Sequence, residues 1–390
     1  MATSSNGNGQ DAQKAGEMNM MARSMVLNQA INMWNSIFTQ TLQGAPAGQV
    51  INVPLRNVGL IKRLLVEINY SIVENDTVDL VRTPWGPANT LSQIVLTDLA
   101  NQTRINTAGW HLHLLATARR QSAFGAAFVN DSPVDIGSNF NVISAPSLIR
   151  NGTGNVRMFY EVPVSYGDFD LRGAIWAGIV NATMNLQLTV NPTLLAPTGA
   201  NSVLSVYQSS GLVTAPVVNN FTINVYQNYL DQIPFTANGP ILPQLDMATV
   251  YLLNNTAKPG LAANQDNPFP YANFRNFMST AVIFDQQGTL NPGTDVNAWK
   301  LESANYTNIF NIDPFVASLF TRQMIGDDFP AGTYYFDHRQ KPISTVQYGN
   351  MQLILNPSTV AGAASQALIG YEALSIVNQI TQAGSLYGNN

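Results

Sequence analysis

The sequence predicts an all-β protein of two consecutive sandwich or jelly-roll units, on three observations. Apolar residues recur with period two after Pro46, turn-forming clusters punctuate these runs, and one Pro-rich break divides them. The alternation is clear in Met184, Leu186, Leu188 and Val190, in Val156, Met158, Tyr160, Val162 and Val164, and in Phe221, Ile223 and Val225. Half-buried strands need this pattern, because successive side chains point to opposite faces of a sheet. Pro84-Trp85-Gly86-Pro87, Asn151-Gly152-Thr153-Gly154 and Pro197-Thr198-Gly199 supply turns. Many short strands so punctuated, with few helical stretches, suit sandwiches and jelly rolls.

The break is DQIPFTANGPILP, residues 231–243. It sets an N-terminal arm over 1–46, a first β-unit over 47–236, a second over 237–373 and a polar tail over 374–390. The second unit has its own strands, TAVIFD and NMQLILNP, and its own turns at Gln286-Gln287-Gly288 and Asn291-Pro292-Gly293. No sequence repeat links the units. Within the arm, residues 1–16 are polar and Gly-rich, a composition that favours disorder. Residues 17–41 read as a helix. Met20, Arg23, Leu27, Ile31, Trp34 and Phe38 recur at spacings of three and four, Met21, Met25 and Ile37 widen the stripe, and Gly44 and Pro46 stop it. Methionine side chains repack against varied partners, so the stripe can serve a surface that touches a membrane or neighbouring copies. The bland alternative is a helix packed on its own β-core.

Charged residues make up 11 % of the chain, against roughly 25 % in ordinary soluble domains. Sparse charge suits a surface largely covered by copies of the same chain, where charges would need pairing. The net charge is −5, and the first 45 residues carry only Lys14 and Arg23 as cations. A protein coating nucleic acid directly uses a basic arm to displace counterions, so no direct nucleic-acid binding is expected. With no cysteine there is no disulfide framework or thiolate metal site. The N-terminus lacks a signal-peptide pattern, and no apolar run reaches the length of a membrane span.

Candidates for chemistry are few. His111 and His113, two apart in TAGWHLHLLA, would share one face of a strand opposite Trp110, Leu112 and Leu114. A zinc site would need a third ligand, and the only other histidine is His338, so the pair reads as structural. Asp327 and Asp328, near Asp337 and Arg339, offer carboxylates for glycoside chemistry, but neighbours on an extended chain point apart. A turn with a local ion pair is the simpler reading. Trp110, Trp176 and Trp299 would form a sugar platform only if they met on one surface, and burial is the alternative. Arg119-Arg120 reads as a solvated turn or an inter-subunit ion pair. No phosphate-binding loop, nucleophile elbow, zinc-protease motif or dinucleotide fingerprint occurs. Neither a catalytic residue nor a cofactor or metal site is therefore assigned.

The stretches NVGLIKRLLVEI at 57–68, WGPANTL at 85–91, GWHLH at 109–113, NDSPVDIG at 130–137, YQNYLDQIP at 226–234, GTDVN at 293–297 and DDFPAGTYYFDHRQKPISTVQYGN at 327–350 are distinctive. On them the chain resembles the tectivirus major capsid proteins, coat proteins of membrane-containing icosahedral bacteriophages. The stretches run in order over about residues 50 to 372; the arms are similar in position and character more than in letters. The resemblance implies two eight-stranded jelly rolls per chain and a homotrimer of pseudo-hexagonal outline. It implies trimers tiling an icosahedral shell, with vertex proteins, around a lipid membrane enclosing double-stranded DNA. The chain would be made in the host cytoplasm and reside in the virion. By the same resemblance Met20, Met21, Met25, Leu27, Ile31, Trp34 and Phe38 face the membrane or adjacent capsomers. YQNYLDQIP would close the first jelly roll, and ILPQLDMATVYLL would open the second. A viral spike or receptor-binding β-protein and an all-β carbohydrate-active enzyme are the other classes considered; the long matched stretches favour the coat protein.

Overall fold

A computed structural model describes residues 6–74, 79–124, 142–178, 183–197, 202–209, 216–286, 289–290, 296–306, 308–325, 330, 332–360 and 365–375. Within them the chain is a double jelly roll, as its alternating pattern predicts. Eight principal strands of the first unit are Ile31–Thr41, Val50–Pro54, Leu60–Glu74, Leu91–Thr97, Thr103–Thr107, Gly152–Pro163, Asn185–Val190 and Val217–Asp231. Eight of the second are Tyr251–Pro259, Asn267–Pro270, Arg275–Gln286, Val296–Ser303, Phe310–Ile312, Thr333–Asp337, Met351–Pro357 and Gln366–Ser375. In both units one sheet takes the strands in the order first, eighth, third, sixth, and the other in the order second, seventh, fourth, fifth. The likeness that the letters do not show is therefore present in the topology.

Each unit buries the inward residues of its two sheets against one another. In the first, Leu64, Val66 and Ile68 of the third strand share a core with Leu186 and Leu188 of the seventh and Ile94 and Leu96 of the fourth. In the second, Val282, Phe284 and Ile369 pack with Trp299, Leu301, Leu353 and Leu355. The Trp299 ring sits 4.8 Å from that of Tyr334 and 5.4 Å from that of Phe336. The units are not merely tethered. The fifth strand of the first unit adds in parallel to the first strand of the second, Ile105 opposite Leu253 and Asn106 opposite Asn254. One ten-stranded sheet thus runs through both.

Helix α1 spans Asn6–Gln29, α2 spans Gly109–Phe124, α3 spans Gln244–Ala248 and α4 spans Pro314–Ile325. Two expectations need correction. The helix expected at 17–41 begins at Asn6, within the segment expected to be disordered, and ends at Gln29. Ile31–Thr41 is instead the first strand, paired antiparallel with Val217–Asp231. Its Ile, Trp, Phe and Thr residues favour a pleated, half-buried surface, and a ladder ten residues long outweighs a helical spacing. A register shift between Ser36 and Phe38 turns both Ile37 and Phe38 towards the core. The second correction concerns His111 and His113, which lie on α2 rather than on a strand. The run alternates His with Trp and Leu, but all of these residues are buried, and a short fully buried run is met by a helix as well as by a strand.

Replacing Trp299 by Ala should cost about 3–5 kcal/mol, the range for emptying a large aromatic site in a packed core. Guanidinium unfolding followed by tryptophan fluorescence and circular dichroism checks this; a loss below about 1 kcal/mol would show that the cavity collapses.

Candidate functional site

A buried ion pair lies where the two units meet. Helix α2 packs on the core of the first unit, Trp110 against Trp85, and also reaches the second. Arg119, on its C-terminal half, donates from Nη2 to Glu372 Oε1 at 2.7 Å and to the Tyr251 hydroxyl at 2.7 Å. Tyr251 donates to the same carboxylate at 2.9 Å, and Ser279 donates to its other oxygen at 2.6 Å. Glu372 is completely buried. Burial works against its charge, yet Arg119 and the Ser279 and Tyr251 hydroxyls reverse that, and its pKa is lowered. Burial also opposes the Arg119 charge, and Tyr251 and Glu372 more than offset it, so that pKa is raised. The guanidinium stands over the Tyr251 and Tyr166 rings at 5.4 and 5.8 Å. Arg119 is thus a joint within one chain, neither a solvated turn nor an inter-subunit pair.

His111 sits one helical face away. Its Nδ1 shares a 2.7 Å hydrogen bond with the Thr107 hydroxyl, and its ring lies against Gly370, where any Cβ would collide with it. Glycine there lets helix and strand approach closely. The expected polar histidine face does not exist. His111 and His113 are both fully buried, and so are Trp110, Leu112 and Leu114. Burial pushes the pKa of His111 and of His113 down to about 4, so both are neutral at pH 7. Among the described residues no cluster of three or more His, Cys, Asp or Glu is arranged to hold a metal ion.

A second polar joint fixes α1. Asp246, buried on α3, accepts from Arg23 through both carboxylate oxygens and from Asn19 Nδ2 at 2.9 Å. Asn19, Ala22 and Val26 form the buried face, and Val26 packs with Leu60, Leu171, Leu230 and Ile233. Of the arm residues singled out from sequence, Met20 and Met21 are 60 % and 66 % exposed, while Met25 and Leu27 are half-buried. Trp34 and Ile31 are exposed on the first strand, and Phe38 packs on the first core. The helix and the strand therefore present these residues separately, not as one stripe.

The other candidates disperse. Trp110 meets Trp85 in the first core, Trp299 lies in the second, and Trp176 is half-buried near α1, so no sugar platform forms. Asp337 pairs with Arg339 at 2.8 Å, the expected local ion pair. Asp327 and Asp328 lie outside the described residues. Sequence reasoning missed Glu372 and Asp246, which carry no local motif; only their long-range partners reveal them. It also missed α4, whose exposed side chains include Phe315, Val316, Leu319 and Phe320.

Comparison with known proteins adds a second line. Residues 4–233 match the family described as P3 major capsid protein N-terminal, and residues 248–387 match P3 major capsid protein C-terminal. The chain is 38 % identical over 378 residues to the major capsid protein P3 of Enterobacteria phage PRD1, covering 96 % of this chain and 95 % of that one. Among solved structures, the STIV MCP superposes with a TM-score of 0.62 at 12 % identity, over 88 % of this chain and 98 % of its own. The Faustovirus major capsid protein gives 0.53 at 7 % identity, over 93 % and 97 %. At such low identity these two structures bear on the fold alone.

Two outcomes follow for the junction. Glu372→Ala should destabilise the chain by about 3–5 kcal/mol by stranding Arg119. Arg119→Met combined with Glu372→Leu should be closer to the parent than either single change, read as melting temperatures in a double-mutant cycle. The histidines add a pH dependence. Their folded pKa is depressed, so the unfolded chain binds more protons between about pH 6.5 and 4. Stability is full above pH 6.5 and falls as pH drops towards 4, by about 3 kcal/mol for each ring. His113→Gln should flatten the stability–pH slope in that window by about one proton; an unchanged slope would show that His113 does not contribute.

Proposed function

This chain belongs to the P3 major capsid protein family, and on that premise we propose that it works as a homotrimer whose six jelly rolls give a pseudo-hexagonal capsomer. It is a major capsid protein and not an enzyme; it is a component of the virion and assembles with neighbouring capsomers into the shell. The observation that carries the trimeric reading is the fusion of two topologically matched sandwiches side by side through one sheet. Three such chains supply six similar walls around an axis, and head-to-tail contacts whose rotation closes form a ring of this kind. Weak lateral patches then sum over many neighbours into a stable shell.

The same proposal places the shell around a lipid membrane enclosing double-stranded DNA, with other proteins at the vertices, and puts α1 on the inner side. Two features support this place for α1. Its buried face is satisfied by its own chain, leaving Met18, Met20 and Met21 outward. Arg23 is neutralised by Asp246, and the exposed Lys14 is outnumbered by the exposed Asp11 and Glu17, so the outward methionines rather than net positive charge are what the helix offers to lipid or to an adjacent capsomer. No helix among the described residues is long and apolar enough to cross a membrane, so contact would be made along the surface. A membrane between shell and genome also accounts for the lack of a basic arm.

Light scattering of the purified chain should give about three times its 42.3 kDa mass, and a monomer at every concentration would refute the trimer. Met20→Glu with Met21→Glu should leave that mass unchanged while impairing closure of shells around vesicles. Normal particles from this variant would remove α1 from the inner contact.

A further inference from the structure

In the second unit two sheet edges face one another across an open seam. Tyr251–Pro259, the first strand, is met on its outer side by Thr103–Thr107 only at Leu253 and Asn254. Beyond Asn254 that edge has no partner among the described strands. Asn267–Pro270, the second strand, is the edge of the other sheet and pairs only with Met351–Pro357. Between the two edges lies a groove of about 500 Å³. Its floor is the margin of the second core, Phe269, Phe277, Ile369 and Tyr371. Tyr271 braces that floor, its ring 4.4 Å from Phe277 and 5.3 Å from Tyr371. Pro259, Pro268 and Pro270 line the sides. The groove is made of parts that are already ordered, so filling it costs little conformational entropy on its own side.

Two cations reach into it. Lys258 stands opposite Ala367, and Arg275 opposite Ser375. Directly opposed residues share a face, so Lys258 projects on the side of Ala367, which belongs to the second core. Arg275 shares the face of Phe277, two residues on. The Lys258 ammonium lies 5.4 Å over the Phe269 ring and donates to the Pro268 carbonyl at 2.8 Å. Among the described residues neither cation has a carboxylate partner, and no carboxylate lines the groove. Elsewhere the chain pairs its cations. Arg23, Arg63, Arg104, Arg119, Arg157 and Arg339 each meet a carboxylate. Burial lowers the pKa of Lys258 and of Arg275 with no acid to oppose it. A partly buried charge without a counter-ion is unfavourable, and an incoming anion relieves it.

We infer that this groove binds an extended, acidic segment of a partner protein. The length of the groove sets the class of ligand. Ala367 and Ser375 are eight residues apart, so the two cations are rooted roughly 26 Å from one another along the strands. Their side chains shorten the gap, but no single carboxylate or phosphate meets both. An extended chain does, with acidic side chains about four to six residues apart on one face. The strand edge beyond Asn254 offers that chain main-chain hydrogen bonds, as in strand addition to an open sheet. Pro268 and Pro270 have no N–H to donate, so the opposite wall gives contact area and not a second ladder.

Fluorescence anisotropy on the full-length chain tests this with the peptide Thr-Glu-Val-Thr-Val-Glu-Thr carrying a neutral dye. The control has Gln in place of both Glu residues. At low salt the acidic peptide should bind at least about tenfold more tightly than the control, and added salt should erase the difference. Lys258→Gln and Arg275→Gln should each weaken the acidic peptide by about tenfold, and together should bring it to the level of the control. Both side chains are partly exposed, so melting of these variants should stay near that of the parent. Lys258→Glu with Arg275→Glu should instead prefer a peptide with Lys in place of both Glu residues. Equal binding of acidic and control peptides by the parent chain overturns the inference, and so does full binding by the folded Gln variants. A change in the mass of the assembly on combining Lys258→Gln with Arg275→Gln also overturns it, because the groove would then be a contact between copies.

Discussion

A buried carboxylate must find a cation, and the arrangement of this molecule turns on Glu372 finding Arg119. The two are 253 residues apart, one on the eighth strand of the second unit and the other on a helix of the first. An uncompensated charge in that position would cost several kcal/mol. The pair therefore strongly disfavours any arrangement in which the units separate or rotate. Ser279 and Tyr251 complete the carboxylate's hydrogen bonds. Apolar packing supplies most of the attraction between the units, and the ion pair supplies its orientation.

The parallel joint between Ile105–Asn106 and Leu253–Asn254 is only two residue pairs long. Alone it would be weak. It is held because α2 is clamped on one side by the Arg119 network and on the other by the close contact of His111 with Gly370. The second joint, Arg23 and Asn19 to Asp246, pins α3, in the connection between the units, to α1. Helix α1 thus belongs to the body along one face, and its exposed side, which includes Met18, Met20 and Met21, remains for outside contacts.

Much of this was legible in the sequence, because strand burial leaves a strong local imprint. Leu186, Leu188 and Val190, or Val156, Met158 and Tyr160, are buried as their alternation requires. The Pro-rich break stands where the eighth strand of the first unit gives way to α3. The N-terminal segment was misread because INMWNSIFTQT satisfies helical spacing as well as a strand with a bulge; pairing with a strand nearly two hundred residues away decides it. GWHLHLLA was misread for a related reason, being buried on every side, its histidines included. The buried acids Glu372 and Asp246 had no local signature at all, since a lone buried acid looks like any other until its partner is placed.

Sheet edges explain how such a molecule assembles without aggregating. An open strand edge is a template for unwanted pairing, and proline is one device that blocks it, having no N–H to donate. In each unit the sheet made of the second, seventh, fourth and fifth strands has proline on its second-strand edge. Pro54 ends Val50–Pro54, and Pro268 and Pro270 lie within Asn267–Pro270. The opposite edges, TRINT and FNI, carry none. Each of these sheets is therefore closed to pairing on one side and open on the other. In the first unit the open side is already filled by the second unit. Among the described residues of this edge in the second unit, three remain open, too few to recruit an arbitrary strand by backbone hydrogen bonds alone. Selectivity there has to come from side chains, and the adjoining helix face is where the chain keeps them.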